Sequence, residues 1–254
     1  PSNEVQKKLG RIFVMADSAH SIGAVYKNKK SGSLCDATVF SFHAVKNVTT
    51  AEGGAICLNL PAPFDNKDLY DWLRLLSLNG QTKDAFTKSL GGNWRYDIVY
   101  PGFKINLNDH CAAVGLAQIR KYTDDLLIRR KKIFEYYDSF FSECEWAQLP
   151  PSNNPDKESS YHIYLLRIKD ISENQRDLII EEINKREVAV NVHFLPLPML
   201  KVFRELNYKI EDHPVSYDNY SREITLPVYP QLSNEDLKKI TASVKESYEE
   251  VVMK

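Results

Sequence analysis

The sequence lacks the features that mark several large classes of protein. Its 33 basic and 34 acidic residues are spread along the whole length and give a net charge of -1, without the basic stripe of nucleic-acid-binding proteins. No apolar run approaches the roughly 18 residues of a membrane helix. The first residues also lack the apolar core of a signal peptide. We therefore expect a cytoplasmic protein that binds neither nucleic acid nor membrane.

Common active-site motifs are also missing. The chain has no Gly-x-Gly-x-x-Gly, no P-loop, no His-Glu-x-x-His and no Gly-x-Ser-x-Gly, which disfavours nicotinamide enzymes, P-loop enzymes, zinc proteases and serine hydrolases. No metal site is predicted. The four cysteines form no Cys-x-x-Cys pair, so we expect free thiols in a reducing compartment.

The apolar pattern predicts an α/β protein. Short runs rich in branched and aromatic residues are typical of buried strands, and they occur at residues 11–16, 37–42 and 54–60. Because these runs are apolar on both faces, they predict a mostly parallel sheet covered by helices on each side. Helical spacing predicts one helix over 65–78 and a long one over 109–144.

A segment dense in Pro, Ser and Asn, residues 149–160, predicts a domain boundary. The larger domain would then be residues 1–148, including the long helix, and a smaller α+β domain would follow over 149–254. In the smaller domain, strands are predicted at 161–168 and 189–194. Two helices there are predicted to begin with capping residues, Ser172 with Gln175 and Ser233 with Asp236.

Two polar clusters follow predicted strands. Asp17 and His20 come after the first strand, and Ser41, His43 and Lys46 come after the second. Ligands bind at the carboxyl ends of parallel strands. A lysine amine, a carboxylate and a hydroxyl suit pyridoxal phosphate, which needs an imine partner, an acid at the ring nitrogen and phosphate ligands. Spacing alone leaves open a surface lysine, a capping aspartate and a turn serine.

Longer stretches around these residues resemble those of a known family. Asp-x-x-His, Ser-Phe-x-x-x-Lys and Glu-Gly-Gly follow one another between Asp17 and Gly54, and GFKINLND, NVHFLPL and TLPVYPQLS come later. This order resembles the DegT-type sugar aminotransferases, which are pyridoxal-phosphate enzymes of the aspartate-aminotransferase (type I) fold. The resemblance implies the back portion of the large domain plus the small C-terminal domain.

The resemblance also implies roles for the residues near the first two strands. Lys46 corresponds to the Schiff-base lysine and Asp17 to the carboxylate on the pyridine nitrogen. His20 occupies the place of the residue beside the ring, and Ser41 that of a phosphate ligand.

Three further positions match the family's site. Asn106 corresponds to a residue that reaches the cofactor phosphate from the neighbouring subunit, which implies a homodimer with shared active sites. His43 and His193 match positions on the substrate side. The family's front part, with a phosphate-binding turn and a ring-stacking aromatic, has no match here, so we expect these residues alone to bind cofactor weakly.

The implied reaction is a transamination in two halves. Glutamate aminates the cofactor to pyridoxamine phosphate, which passes the nitrogen to a nucleotide-linked ketosugar for surface polysaccharide, lipid A or other amino-sugar synthesis. One alternative is a sugar dehydratase of the same fold, in which a histidine replaces the lysine. Others are a non-catalytic regulatory relative and an unrelated α/β binding protein.

Overall fold

The structure, a computed structural model, describes residues 1–92 and 94–253. It divides into two compact units, the first ending at Tyr122 and the second beginning at Thr123. Strands and helices are mixed through both, which confirms the predicted α/β class. The predicted domain boundary, after residue 148, lies further along the chain than this division.

The first unit has one short helix, then five short strands, and then three more helices. Its strands are β1 (Met15–Asp17), β2 (Val25–Tyr26), β3 (Lys29–Lys30), β4 (Ala37–Ser41) and β5 (Gly54–Leu58). Its helices are α1 (Glu4–Leu9), α2 (Asn66–Ser77), α3 (Ala85–Ser89) and α4 (Asp109–Lys121). Asp65 begins α2 by accepting hydrogen bonds from the backbone of Lys67 and Asp68, and Asn108 begins α4 by accepting one from Cys111.

One sheet of this unit positions the candidate site, with strand order β1-β4-β5. The β1 and β4 strands are parallel, as predicted, with Asp17 opposite Val39. The β4 and β5 strands are antiparallel, with Ser41 opposite Gly54. The connection over 42–53 consists of turns, and a parallel pairing would need a longer crossover of a dozen or more residues.

The predicted strand at 11–16 is shorter and less buried than expected. Only Met15 and Ala16 of that run belong to β1, and Phe13, Val14 and Met15 are 41%, 47% and 63% exposed. The prediction of a buried strand is therefore wrong here. The physical reason is that β1 lies at the edge of the sheet formed by the described residues, so one of its sides is left open.

An ion pair between the exposed Arg11 and the buried Asp36 fixes the start of this sheet. Asp36 is 2% exposed, and its carboxylate accepts hydrogen bonds from Arg11 Nη2 at 2.5 Å, Arg11 Nη1 at 2.6 Å and the Val14 backbone at 2.9 Å. The Arg11 hydrogen bonds, followed by that from Val14, lower the pKa of Asp36 to about 2. The pair ties the segment before β1 to the beginning of β4.

Asp36→Asn should therefore lower the thermal stability of the protein at neutral pH. A carboxyl whose pKa is lower in the folded state stabilises it above the unfolded value of about 3.9, and this contribution is lost as the pH falls towards about 2. Thermal unfolding followed between pH 7 and about 2 should show the wild-type advantage shrink across that window. Asp71→Asn, which removes an exposed ion pair with Lys67, is the control and should change little. An equal loss at all pH values would contradict the role of the charge.

The second unit begins within the predicted long helix. A π-helical turn at Tyr122–Leu126 separates α4 from α5 (Leu127–Phe141), so the predicted helix over 109–144 ends at Phe141. The later helices are α6 (Glu173–Lys185), α7 (Lys201–Glu205), α8 (Pro214–Ser221) and α9 (Asn234–Val252). The strands are β6 (Ala147–Gln148), β7 (Lys157–Glu158), β8 (Tyr164–Ile168) and β9 (Glu223–Leu226).

The core of this unit lies between its sheet and its helices. The sheet has the order β6-β8-β9 and is antiparallel throughout. Large side chains from α5, α6, α9 and the strands form one cluster, including Phe134, Tyr137, Tyr164, Leu166, Ile179, Ile224 and Val244. Because α5 contributes to this core, the second unit starts before the predicted boundary. Both predicted capping boxes are confirmed, at the beginning of α6 and of α9.

The predicted strand over 189–194 is wrong. These residues, all of which the structure describes, form a single bridge between Asn191 and Thr225. Asn191 and Thr225 exchange two backbone hydrogen bonds, of 2.7 and 3.2 Å, and then the chain turns away. Alternating apolar residues are equally compatible with a strand and with an extended segment that touches a sheet once.

Across residues 1–92 and 94–253, each helix is either too short or too polar to cross a membrane.

Candidate functional site

Asp17 and Ser41 end two neighbouring parallel strands. Asp17 is the last residue of β1 and lies opposite Val39, and Ser41 is the last residue of β4. The two residues therefore lie at the same edge of the sheet, the one at which the parallel strands β1 and β4 end. Asp17 Oδ1 accepts a hydrogen bond from the Ala19 backbone at 3.1 Å, and Ser41 Oγ accepts one from the His43 backbone at 3.3 Å. Each side chain is thus oriented by the turn that follows its strand.

Lys46 and His20 meet at this edge. Lys46 Nζ lies 2.6 Å from His20 Nε2, and both side chains are half-buried. A lysine ammonium can only donate a hydrogen bond, so His20 accepts through Nε2 and carries its own proton on Nδ1. The contact brings together the two polar clusters that follow β1 and β4.

The turn that holds Lys46 is closed by backbone hydrogen bonds. The Lys46 amide donates to the His43 carbonyl at 2.9 Å, and the Thr50 amide donates to the Phe42 carbonyl at 2.8 Å. Asn47 is 6% exposed, and its side-chain amide donates to the Tyr122 hydroxyl at 3.1 Å. The Tyr122 hydroxyl donates to the Ile22 carbonyl at 2.7 Å. Tyr122 therefore connects the loops after β1 and β4.

Helix α4 lies against the same turn. The Gln118 side chain accepts a hydrogen bond from the Thr49 backbone at 3.0 Å. A Cβ atom on Gly115 would lie 2.8 Å from Thr50 Cγ2, so only glycine permits this approach. Sequence reasoning missed Asn47, Gln118 and Tyr122, because contacts between residues about seventy positions apart leave no local signal in the chain.

The Glu-Gly-Gly segment has a steric explanation. Gly53 has a φ of +157°, and a Cβ on it would lie 2.4 Å from Thr50 Oγ1. A Cβ on Gly54 would lie 2.6 Å from the carbonyl oxygen of Phe40, which precedes its partner Ser41 in β4. Both glycines are thus needed for the return from the Lys46 turn into β5.

The other predicted site residues lie in different surroundings. His43 is exposed, with Nε2 3.7 Å from the Glu52 carboxylate. Asn106 is exposed just before α4, where its side chain contacts Lys104 and donates to the Leu107 carbonyl at 3.4 Å. His193 belongs to the second unit, with Nδ1 2.8 Å from Thr225 Oγ1. Their predicted roles stay predictions.

The groups at the sheet edge fit a pyridoxal cofactor. The donor set contains a lysine amine, a carboxylate at the end of the adjacent strand, a hydroxyl at the end of the lysine's own strand and an imidazole within 2.6 Å of the amine. These are the groups that hold an aldehyde, a protonated ring nitrogen, a phosphate and a ring substituent.

Known proteins resemble the chain over nearly its whole length. The chain is 32% identical over 239 residues to the spore coat polysaccharide biosynthesis protein SpsC of Bacillus subtilis, covering 92% of this chain and 59% of that protein. It is 31% identical over 251 residues to a UDP-4-amino-4,6-dideoxy-N-acetyl-beta-L-altrosamine transaminase of Helicobacter pylori, covering 96% of this chain and 62% of the relative. The chain thus spans about three fifths of the length of the curated relatives it matches.

A solved structure is similar to the chain at the level of fold and sequence. It is a putative sugar aminotransferase from Streptococcus pneumoniae in its PMP form, with a TM-score of 0.90 and 41% identity. The match covers 99% of this chain and 62% of that one, and the PLP form of the same protein gives a TM-score of 0.89. The type I aminotransferase fold predicted from the sequence is confirmed.

The family model that matches the chain covers residues 4–245 and describes the DegT/DnrJ/EryC1/StrS aminotransferases. The resemblance seen in the sequence motifs is confirmed, and pyridoxal phosphate is the cofactor of this family. The chain therefore belongs to the DegT/DnrJ/EryC1/StrS aminotransferase family.

Proposed function

We propose that this chain supplies the lysine and most of the ring contacts of an aminotransferase that moves an amino group from glutamate to a nucleotide-linked ketosugar. The observation that carries the proposal is the 2.6 Å contact between Lys46 and His20 at the sheet edge where Asp17 ends the adjacent strand. The same edge brings an amine, an imidazole and a carboxylate together.

Each of these residues has a chemical task. When bound, pyridoxal phosphate supplies an electron sink for the charge left at the substrate carbon during proton transfer. Lys46 would hold the cofactor through its aldehyde carbon, and its free amine would move a proton from and to the substrate carbon as a general base and acid. Asp17 would hold the proton on the ring nitrogen through a charge-assisted hydrogen bond.

His20 and Ser41 orient these groups. His20 accepts a hydrogen bond from Lys46, which fixes the direction of the amine before the cofactor is attached. Ser41 ends β4 on the same edge, and its hydroxyl supplies a hydrogen-bond donor for the phosphate. Gly53 and Gly54 allow the backbone to return beside this turn, and Tyr122 holds the loops around it.

Three more residues belong to the proposed site through the family resemblance. Asn106 would bind the cofactor phosphate of a second copy of the protein, which makes the working unit a homodimer. Its place in the exposed segment before α4 is consistent with that reach. His43 and His193 would face the substrate.

The nature of the substrates is supported by the relatives. The Bacillus subtilis relative is named for polysaccharide biosynthesis, and the Helicobacter pylori relative for a transaminase of a UDP-linked amino sugar. A sugar dehydratase is disfavoured because Lys46 stands where those enzymes have histidine. A non-catalytic relative is disfavoured because Asp17, His20, Ser41 and Lys46 are all present at one sheet edge.

A panel of nucleotide-linked ketosugars with isotope-labelled glutamate tests the proposal. We expect the labelled nitrogen to appear in one sugar by mass spectrometry, with formation of an equivalent amount of 2-oxoglutarate. The dehydratase alternative predicts loss of a hydroxyl from the sugar without transfer of label. Failure of the whole protein to label any sugar, despite bound cofactor, would favour the non-catalytic relative.

A further inference from the structure

A chain of hydrogen bonds connects a buried carboxylate to His193. Glu223 and Thr225 belong to β9 and are 4% and 5% exposed. Thr225 Oγ1 donates to Glu223 Oε1 at 2.5 Å, and His193 Nδ1 lies 2.8 Å from Thr225 Oγ1. The His193 backbone N–H donates to the other carboxylate oxygen, Glu223 Oε2, at 2.9 Å. The backbone of Thr225 is itself fixed, because it exchanges two hydrogen bonds with Asn191.

The hydrogen-bond donors that link Glu223, Thr225 and His193 determine where the protons lie. An ionised carboxylate can only accept, and here each of its oxygens receives a hydrogen bond from a different donor. The single hydroxyl proton of Thr225 is used towards Glu223. Thr225 Oγ1 can therefore only accept a hydrogen bond from the imidazole, so His193 must carry a proton on Nδ1. In the neutral ring, Nε2 is then an acceptor.

The surroundings of Glu223 act on its charge in opposite directions. Burial is the largest effect and raises the pKa of Glu223, outweighing the hydrogen bonds from Thr225 and His193 and the positive charges of Arg176 and Arg167, which lower it. A protonated Glu223 would place its own O–H against the backbone N–H of His193 or against the Thr225 hydroxyl. The first contact sets two donors against each other, and the second would turn the Thr225 hydroxyl towards His193 Nδ1. The hydrogen bonds described above are therefore those of the ionised form, which a carboxyl group adopts at a pH well above its pKa.

The same residues line a groove. His193 and Glu223 border a cavity of about 410 Å³ together with Arg167, Phe194 and Asn219. A cavity of this size suits a ligand as large as a sugar ring, since binding clefts begin at about 300 Å³. The Arg167 guanidinium contacts the Asn219 side-chain oxygen, so the polar groups on this wall are already oriented.

We propose that Glu223 is a positioning residue which, through Thr225, holds His193 in its Nδ1-protonated form so that Nε2 accepts a hydrogen bond from a ligand. The ligand group must then be a donor, and a sugar hydroxyl is the chemistry that fits. The identity of that ligand as the ketosugar rests on the proposed function, whereas the state of the imidazole does not.

The state of the imidazole can be measured directly. Histidine nitrogens labelled for NMR give distinct signals when protonated and unprotonated, and His193→Gln identifies the His193 pair among the six histidines. At about pH 8, where an ordinary histidine is neutral, the whole protein should show His193 protonated at Nδ1. The Nε2–H form in the wild type would overturn the proposal.

Three substitutions, at Glu223 and Thr225, separate positioning of the imidazole from mere packing. In Glu223→Gln the amide oxygen accepts from the His193 backbone N–H, so the amide NH₂ faces Thr225. The Thr225 hydroxyl then accepts from this NH₂ and donates to His193 Nδ1. The His193 nitrogen signals should therefore switch to those of the Nε2–H form. Thr225→Val should abolish the preference, and Thr225→Ser should restore it. Thr241→Val, which removes another buried hydroxyl of this unit from the Leu237 carbonyl, is the matched control and should leave the His193 signals unchanged.

Kinetics then test the ligand. Thr225→Val should raise KM for the ketosugar about tenfold, the loss expected for one hydrogen bond of about 1.4 kcal/mol, and leave the half-reaction with glutamate unchanged. An unchanged KM, or an equal loss in both half-reactions, would overturn the assignment of the ligand. If no sugar is aminated although the tautomer switches as described, the proposed function fails and the positioning role of Glu223 stands.

Discussion

Lys46→Ala should abolish covalent attachment of the cofactor and lower turnover by at least about 10²–10⁴-fold, the contribution of a positioned general acid–base group. Lys46 is the amine that the fold brings within 2.6 Å of His20 at the edge shared by Asp17 and Ser41. Loss of the amine removes both the attachment point and the proton carrier. The visible absorption of the protein with added cofactor, and single-turnover transfer from glutamate, measure the two effects.

The control for this variant is Lys29→Ala, which removes an exposed lysine from β3 of the same unit. It should keep both the absorption and the turnover of the wild type. Retention of near-normal turnover by Lys46→Ala would show that another base carries the proton. Lys46→Ala should still fold, because the Lys46 turn is closed by backbone hydrogen bonds that the substitution leaves in place. Circular dichroism checks this separately.

Asp17→Asn should keep the covalent attachment yet slow transamination roughly 10- to 100-fold. The asparagine side-chain oxygen can still accept the hydrogen bond from Ala19, so the turn after β1 is preserved. The lost contribution is that of a hydrogen bond to a charged group, about 1.5–3 kcal/mol. Without the carboxylate the ring nitrogen is no longer held protonated, and the developing charge is poorly stabilised.

Stopped-flow measurement of the half-reaction with glutamate tests this prediction. Asp156→Asn, at an exposed aspartate of the second unit, should react like the wild type. A normal rate in Asp17→Asn would contradict the role of Asp17, and loss of cofactor attachment in that variant would mean that Asp17 acts on the turn rather than on the ring.

Local patterns predicted much of the fold. The strands at 37–42 and 54–60, the helix over 65–78 and both capping boxes depend on side-chain spacing and on contacts within four residues, which the sequence displays directly. The failures have a common physical origin. The burial of residues 11–16 and the conformation of residues 189–194 depend on what packs beside them, and local apolar alternation carries no information about that.

For the candidate site, the residues at the strand ends were predictable from the sequence. Strand order explains why Asp17, Ser41 and Lys46 come together, since the ends of parallel strands share an edge. The supporting contacts were not predictable, because Asn47 with Tyr122 and Thr225 with His193 join distant parts of the chain. Tyr122 was hidden within a long helical pattern, and Glu223 within a short apolar strand.

Borohydride reduction of the protein with bound cofactor, followed by peptide mapping, tests the central claim most directly. Reduction fixes the cofactor irreversibly to whichever amine holds it, so the mass of one peptide identifies the residue. We predict that the modified peptide contains Ser41-Phe42-His43-Ala44-Val45-Lys46 and that the added mass resides on Lys46. A cofactor fixed to any other lysine would contradict the account of the site.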